Sequence, residues 1–345
     1  MTTRGPVTNL LRIGLAGYGN WAREAYMPAL RADGRGNVVA ASPPSQATRQ
    51  RIREELGSQV RVYPHFDAML EASGLDGVLM ALPEAVHEPS LLAAIGSEIP
   101  FFYEPPVSHR RDRIAPVLEA LLGATQIQQA DLELRYLPVV AAAAQRLAEG
   151  AIGEPQTARI RMNGNWNARP GAGLSLPLVL APWYVDVLDA ILDSHPQGVL
   201  VQDGRGTEGR MQAYALTQLD YGGVWGTFQA NISSVHGPET WVEVQGRDGD
   251  LFADLFTGEL RLRNRSDPEW RVDRVVSALR PFAGWPGMRE CLSEFLDQLE
   301  GKPSSGVPAE DMARLHCLGL AAEESIDTSA WAPVRSMDEL RRNLR

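Results

Sequence analysis

The sequence predicts a two-domain α/β protein: a doubly wound parallel sheet over residues 9–132, then an α/β domain with an open, mainly antiparallel sheet over residues 133–345. Three observations predict it. An apolar run, Leu10 to Ala16, breaks at Gly17-Tyr18-Gly19-Asn20-Trp21-Ala22 and resumes as a helical pattern with Ala25, Met27 and Leu30 in its apolar positions. Strand and helix patterns then alternate as far as Asp131. From Glu154 onward strand patterns follow one another without full crossover helices, which parallel neighbours require.

The opening element is a strand, a glycine turn and a helix, the G-x-G-x-x-G/A arrangement of a dinucleotide-binding Rossmann fold. Gly17 permits the tight turn, Gly19 lets the backbone approach a pyrophosphate, and Ala22 is small enough for close helix–strand packing. Backbone N–H groups at Asn20 and Trp21, with the helix dipole, favour the anion. Without a ligand the same residues make an ordinary tight turn.

The next strands are expected at Asn37–Ala41, Arg61–Tyr63, Gly77–Leu82, Pro100–Tyr103 and Gln126–Asp131. Helices are expected at Ser45–Leu56, Phe66–Ala72, His87–Ile95 and Arg110–Leu122. Units of this length give a parallel sheet covered on both faces, with its ligand crevice at the strand C-termini. Past Arg135 comes a helix, Pro138 to Glu149, ended by Gly150. Strands follow at Thr157–Asn163, Val199–Gln202, Met211–Leu219, Val224–Ala230, Thr240–Val244, Leu251–Asp254 and Glu259–Arg263, with a hairpin turn at Asp220-Tyr221-Gly222-Gly223. One helix interrupts them, Trp183 to Leu192, and two more, Gly287–Leu299 and Ala309–Ser325, finish the pattern. Asn163 to Pro182, rich in Gly, Asn and Pro, reads as a loop of the kind that overhangs a substrate in a cleft enzyme.

Composition narrows the function. The chain has 345 residues, enough for two full cores. Its net charge of −10 argues against nucleic acid or an anionic membrane as the main partner. Cys291 and Cys317 form neither a disulfide framework nor a metal-spaced cluster. No apolar run approaches the roughly 20 residues needed to span a bilayer, and the N-terminal stretch lacks a signal-peptide core. The expectation is a cytoplasmic protein that works on a small molecule.

The order of several stretches resembles the Gfo/Idh/MocA family, named for glucose–fructose oxidoreductase and inositol dehydrogenase. They are the glycine turn, Leu82-Pro83 with His87 beyond, Glu104-Pro105-Pro106, Arg135-Tyr136-Leu137-Pro138, Gly150-Ala151-Ile152-Gly153, and Phe295 to Glu324. The resemblance covers nearly the whole chain. It implies a Rossmann domain, a second domain whose open sheet supports homodimers or homotetramers, and hydride transfer between NAD(P) and a sugar, polyol or related carbonyl compound. It places Gly17, Gly19, Asn20, Trp21, Ala22, Ser42, Leu82, Pro83, His87, Glu104 and Pro105 beside the dinucleotide.

Hydride transfer at a carbinol needs a group that exchanges the hydroxyl proton and one that stabilises developing oxyanion charge. The family supplies them with the Lys of a Glu-Lys-Pro motif and an Asp-x-x-x-His pair on a helix of the second domain. Here the Lys position is Pro105, and the best register puts Val179 at the Asp and Trp183 at the His. Asp186 then matches the Asp three residues after that His. It reads either as a carboxylate facing the cleft or as one paired internally. Glu104 and Pro106 read as a rigid turn after the fifth strand. The acid that usually holds the adenosine ribose is replaced by Pro43, which removes repulsion against a 2′-phosphate. Ser42, with Arg49 or Arg51, reads as a holder for one, although arginines in such places more often form a solvated helix face; if a dinucleotide binds, NADP is modestly favoured over NAD.

Pro, Val and Trp in these three places imply a degenerate active site: a family member that binds NAD(P) without being a standard sugar dehydrogenase. The alternative is an active NAD(P)H-dependent reductase of a carbonyl, imine or sugar-like substrate with a relocated donor. Tyr103, Tyr184, His87 and Asp186 are the catalytic candidates for it. His87 reads equally as a helix-start histidine satisfied locally. Asn165, Trp166 and Asn167 read as substrate contacts or as turn residues.

Overall fold

The computed structural model describes residues 10–43, 45–72, 74–165, 174–203, 213–276, 284–304 and 306–343. In chain order, β1 (Leu11–Ala16) leads through a π-helical turn at Ala22–Tyr26 into α1 (Met27–Asp33). Then come β2 (Gly36–Ser42), α2 (Gln46–Glu55), β3 (Arg61–Val62), α3 (Phe66–Glu71), β4 (Gly77–Met80), α4 (Glu84–Ile95), β5 (Phe101–Tyr103), α5 (Arg111–Leu122) and β6 (Gln128–Ala130). A 3-10 turn at Glu133–Tyr136 precedes α6 (Pro138–Ala148), β7 (Pro155–Asn163) and α7 (Leu176–Leu192). The strands β8 (Gly198–Asp203), β9 (Tyr214–Asp220), β10 (Trp225–Asn231), β11 (Glu239–Gly246), β12 (Gly249–Asp254), β13 (Glu259–Asn264) and β14 (Arg271–Arg274) follow. The chain continues through α8 (Met288–Leu299), α9 (Ala309–Thr328), β15 (Ala332–Pro333) and α10 (Met337–Asn343).

The first sheet has the order β3-β2-β1-β4-β5-β6, and every pair in it is parallel. Its central strands are buried on both faces: all four residues of β4 and all three of β5 are inaccessible, as a sheet covered by helices on both sides requires. The strand order reverses between β1 and β4, which puts the ligand crevice outside their C-terminal ends. The second sheet has the order β14-β13-β12-β11-β7-β10-β9-β8-β15. Only β7 and β10 run parallel in it, so it is mixed and mainly antiparallel. In β10, Gly226, Phe228 and Ala230 are buried while Trp225 and Gln229 are exposed, the alternation of a sheet with one covered face.

Among the described residues the chain divides into two compact units. The first takes residues 10–104, 123–131 and 284–308, and includes α8, which packs on α1. The second takes residues 105–122, 132–276 and 309–343, and includes α5, which packs on α9.

Two helix starts differ from the sequence expectation. α4 begins at Glu84 rather than His87, because Pro83 serves as its N-cap residue and the helix runs on through Pro89. α7 begins at Leu176 rather than Trp183. Ser175 caps it by accepting from the Leu178 N–H, Pro177 sits in the first turn where its missing N–H costs nothing, and Pro182 is carried inside the helix. The expected loop is therefore shorter. Trp166 and Asn167 lie outside the described residues, and Asn165 forms an isolated antiparallel bridge with Ser233. The strands β14 and β15 and the helix α10 carry no pattern strong enough to predict.

Candidate functional site

The glycine turn follows β1 directly. Gly17 has φ +83°, and a Cβ placed there would lie 2.0 Å from the carbonyl oxygen of Ala81, at the end of the neighbouring β4. The fold itself demands this glycine. Gly19 is different: it is exposed, and nothing lies within 4 Å of where its Cβ would be. Packing does not explain a glycine there, whereas the backbone approach of a pyrophosphate does. Ala22 is fully buried, and Trp21 is half-buried.

At the end of β2, Ser42 is 5% exposed, and among the described residues its hydroxyl has no hydrogen-bond partner. Arg49, on α2, donates from Nη2 to the carbonyl of Pro64 at 3.1 Å, and its buried Nε has no partner among the described residues. A buried orphan hydroxyl beside the open glycine turn fits a dinucleotide. The residues that would hold it are Gly17 to Ala22, Ser42 and, after β4, Leu82 and Pro83. Leu82 is half-buried and Pro83 exposed, at the mouth of α4. His87 lies in the first turn of α4 and is 2% exposed.

The end of β5 carries a second feature. Glu104, half-buried, immediately follows the strand. The Tyr26 hydroxyl lies 3.4 Å from Glu104 Oε1 and 3.2 Å from Asp131 Oδ2, where Asp131 follows β6. The Trp21 indole N–H donates to the same Asp131 Oδ2 at 3.0 Å. Asp131 is wholly buried. Burial, and then the nearby Asp131, push the Glu104 carboxyl well above the usual range. Burial, Asp131 and Glu104 likewise push the Tyr26 phenol up. Neither Tyr26 nor Asp131 carried a sequence signal of its own. They meet because the sheet order sets the end of β6 beside that of β5.

Tyr103 is fully buried, packs against Phe101 at 5.7 Å, and among the described residues its hydroxyl has no hydrogen-bond partner. Burial pushes that phenol up. Pro105, at the position of the family's Lys, is buried.

In the second unit, α7 holds the positions expected for the family's Asp and His. Val179 and Trp183 are partly buried and pack against the hydrophobic core. Tyr184 is 5% exposed and stacks on Phe228 with ring centroids 5.7 Å apart. Burial raises its phenol. Asp186 is paired internally: Arg135 donates to it from Nε at 2.8 Å and also from Nη2, while Arg135 Nη1 reaches Asp311 at 2.8 Å. Burial pushes the Asp186 carboxyl up, and Arg135 and Arg314 pull it back. One turn on, Asp189 accepts from the Tyr221 hydroxyl at 2.9 Å and from Arg314, with His195 Nδ1 at 3.2 Å. Among the described residues no cluster of three or more His, Cys, Asp or Glu could hold a metal ion, and no helix is long and apolar enough to cross a membrane.

A doubly wound sheet with a glycine turn at its switch point defines a domain of the dinucleotide-binding Rossmann class. Residues 11–125 match the oxidoreductase family with an NAD-binding Rossmann fold, and residues 140–252 match the GFO/IDH/MocA C-terminal domain. The chain belongs to the Gfo/Idh/MocA family. An inositol 2-dehydrogenase of Rubrobacter xylanophilus is 24% identical over 248 residues, 68% of this chain and 70% of that protein. Inositol 2-dehydrogenase 4 of Saccharopolyspora erythraea is 32% identical over 147 residues, 42% of this chain and 43% of that protein, so that alignment spans under half of the relative. Among solved structures, levoglucosan dehydrogenase in complex with NADH and levoglucosan superposes with TM-score 0.81 at 16% identity, over 95% of this chain and all of that one. An oxidoreductase from Agrobacterium radiobacter in complex with NAD+, L-tartaric acid and magnesium superposes with TM-score 0.79 at 17% identity, over 94% and 99%. At these identities the structural likeness speaks for the fold.

Proposed function

We propose that the chain binds NAD(P)(H) at the C-terminal edge of its first sheet and reduces a small carbonyl, imine or sugar-like compound without the Lys–His pair of its family. Gly19 carries the reading: it is a glycine with open space around it in a turn whose other glycine is fixed by packing. When bound, the nicotinamide supplies the hydride. The chain's own residues bind the phosphates through the glycine turn and keep a proton at hand beside it. Pro105 cannot supply that proton, so the donor has moved.

NADP is the favoured form. Ser42 offers a buried hydroxyl without a partner among the described residues, Arg49 an uncommitted Nε, and Pro43 no carboxylate to repel a 2′-phosphate. Quenching of tryptophan emission and enhancement of nicotinamide fluorescence on titration with NADPH and NADH test this. Tighter binding of NADPH, and a selective loss of NADPH affinity in Pro43→Asp, are expected. Absence of binding by either dinucleotide overturns the reading.

A second reading, binding without turnover, is favoured by the apolar Val179 and Trp183 and by the pairing of Asp186 with Arg135. A screen of carbonyl, imine and sugar substrates for loss of NAD(P)H absorbance separates the two. The half-exposed face of the second sheet, with Trp225 and Trp331 in ring contact at 5.6 Å and both exposed, supports self-association into a homodimer or homotetramer. Light scattering on the eluting protein tests it.

A further inference from the structure

Building on that dinucleotide-site reading, we propose that Glu104 is the group that gives up and takes back the proton of the reduction, holding it in an array with Tyr26 and Asp131. Two carboxyls in a poorly solvated place cannot both ionise cheaply, so one proton is held between them. The hydrogen bonds decide which carboxyl keeps it. Asp131 Oδ2 faces two donors, the Trp21 indole at 3.0 Å and the Tyr26 hydroxyl at 3.2 Å. Glu104 Oε1 faces the same hydroxyl at the longer distance of 3.4 Å, and that hydroxyl has one proton to give. The indole acts on Asp131 alone. Negative charge therefore rests on Asp131, wholly buried, and the proton rests on the half-buried Glu104.

Groups acting on the array include Asp131 from the end of β6, Tyr26 and Trp21 from the turn before α1, the Met80 carbonyl at 3.4 Å from the Tyr26 hydroxyl, and Cys291 from α8, which bears on Tyr26. Burial and the Asp131 charge raise Glu104, and the Tyr26 hydrogen bond opposes them weakly. The position suits the role. Glu104 follows β5 as the glycine turn follows β1 and Leu82-Pro83 follows β4, so all three lie at the C-terminal ends of adjacent strands. It is also the residue before Pro105, where the family carries its Lys.

In the reducing direction a hydride adds to the carbon of a C=O or C=N group. The O–H bond of Glu104 breaks, an O–H or N–H bond forms on the substrate heteroatom, and Glu104 is left as a carboxylate while the cofactor leaves oxidised. Solvent then returns the proton. An oxidised nicotinamide is cationic and favours the Glu104 carboxylate, whereas the reduced one is neutral and does not.

That asymmetry gives a test needing no substrate. Calorimetric titrations of the full chain with NAD+ and with NADH at pH 7, each in two buffers of different ionisation enthalpy, read the protons released on binding. Wild type is expected to release protons with NAD+ and none with NADH. Glu104→Gln is expected to bind both and release none. Infrared spectra without ligand at pH 7 are expected to show the C=O stretch of a protonated carboxyl that Glu104→Gln removes. Tyr26→Phe, a second variant should Glu104→Gln fold poorly, is expected to shift that band to higher frequency. NAD+ and NADH binding to wild type with no proton release, release that survives Glu104→Gln, or absence of the infrared band overturns the proposal. If wild type binds neither dinucleotide, the underlying site reading fails instead. For any carbonyl or imine that wild type reduces, Glu104→Gln should lower turnover about 100-fold with NADH binding unchanged, and equal turnover also overturns the proposal.

Discussion

The indole nitrogen of Trp21 lies 3.0 Å from Asp131 Oδ2, and this bond ties the glycine turn after β1 to the end of β6 at the far edge of the sheet. Trp21 also meets Trp285 edge-on, with ring centroids 5.2 Å apart. Trp21→Phe keeps an aromatic ring but takes a donor from a wholly buried carboxylate. Hydrogen bonds to charged groups are worth about 1.5–3 kcal/mol. A loss of stability of that size is expected, measured by urea denaturation against wild type.

Gly17 and Gly19 are two residues apart and should respond oppositely to the same substitution. Gly17→Ala forces a Cβ to 2.0 Å from the Ala81 carbonyl and strains a φ of +83°, so a loss above about 4 kcal/mol, or failure to fold, is expected. Gly19→Ala meets no protein atom within 4 Å. Its stability should stay within about 0.5 kcal/mol of wild type. Its NADPH affinity should fall about tenfold or more, because the Cβ takes the space the phosphates need. Thermal melts and fluorescence titrations read the two effects separately.

The fold was largely legible because its signals are local. The run Leu10–Ala16, the turn at Gly17–Ala22 and the helix behind it specify a βα unit within some twenty residues, and the alternation in β9, β10 and β11 marks a half-covered sheet. The start of α7 was not legible. Pro177 and Pro182 look like helix breakers, yet one occupies the first turn and the other is tolerated inside a helix held by tertiary burial. The two-residue β15 pairs with β8 alone and has no pattern to read. For the site, the phosphate turn and the missing Lys could be read from sequence. The array around Glu104 could not: Tyr26 lies 78 residues from Glu104 and 105 from Asp131. Only the order of strands in the sheet brings them together.

Asp186 and Arg135 form a buried pair that sequence left open between two roles. The Asp186 side chain is 1% exposed and that of Arg135 19%. Asp186→Asn leaves Arg135 with Asp311 as its remaining carboxylate and weakens charge-assisted hydrogen bonds, at a cost of about 1.5–3 kcal/mol. Asp186→Asn is expected to lose that much in urea denaturation, and the double variant Arg135→Gln/Asp186→Asn is expected to lose less than the sum of the two single changes. Nicotinamide binding, assigned to the first unit, should survive wherever the variant remains folded.

His316 gives the second unit a dependence on pH. It is fully buried on α9, its Nδ1–H donates to the Met312 carbonyl at 2.8 Å, and its Nε2 accepts from the Val107 N–H at 3.0 Å, just past the Pro105-Pro106 turn. Only a neutral imidazole can do both. Burial lowers its pKa to about 4 from an ordinary 6.5, despite the Met312 bond. A lowered folded-state value means that the unfolded chain binds the proton more readily. The contribution is therefore intact above about pH 6.5 and is lost as pH falls toward 4. Between pH 7 and pH 5 this one group should cost about 2 kcal/mol of stability. His316→Gln, whose amide offers both a donor and an acceptor without titrating, should flatten the slope of stability against pH over that window while lowering stability at pH 7. Urea denaturation at half-unit steps of pH from 5 to 7 reads the slope, and an unchanged slope in His316→Gln would assign it to other groups.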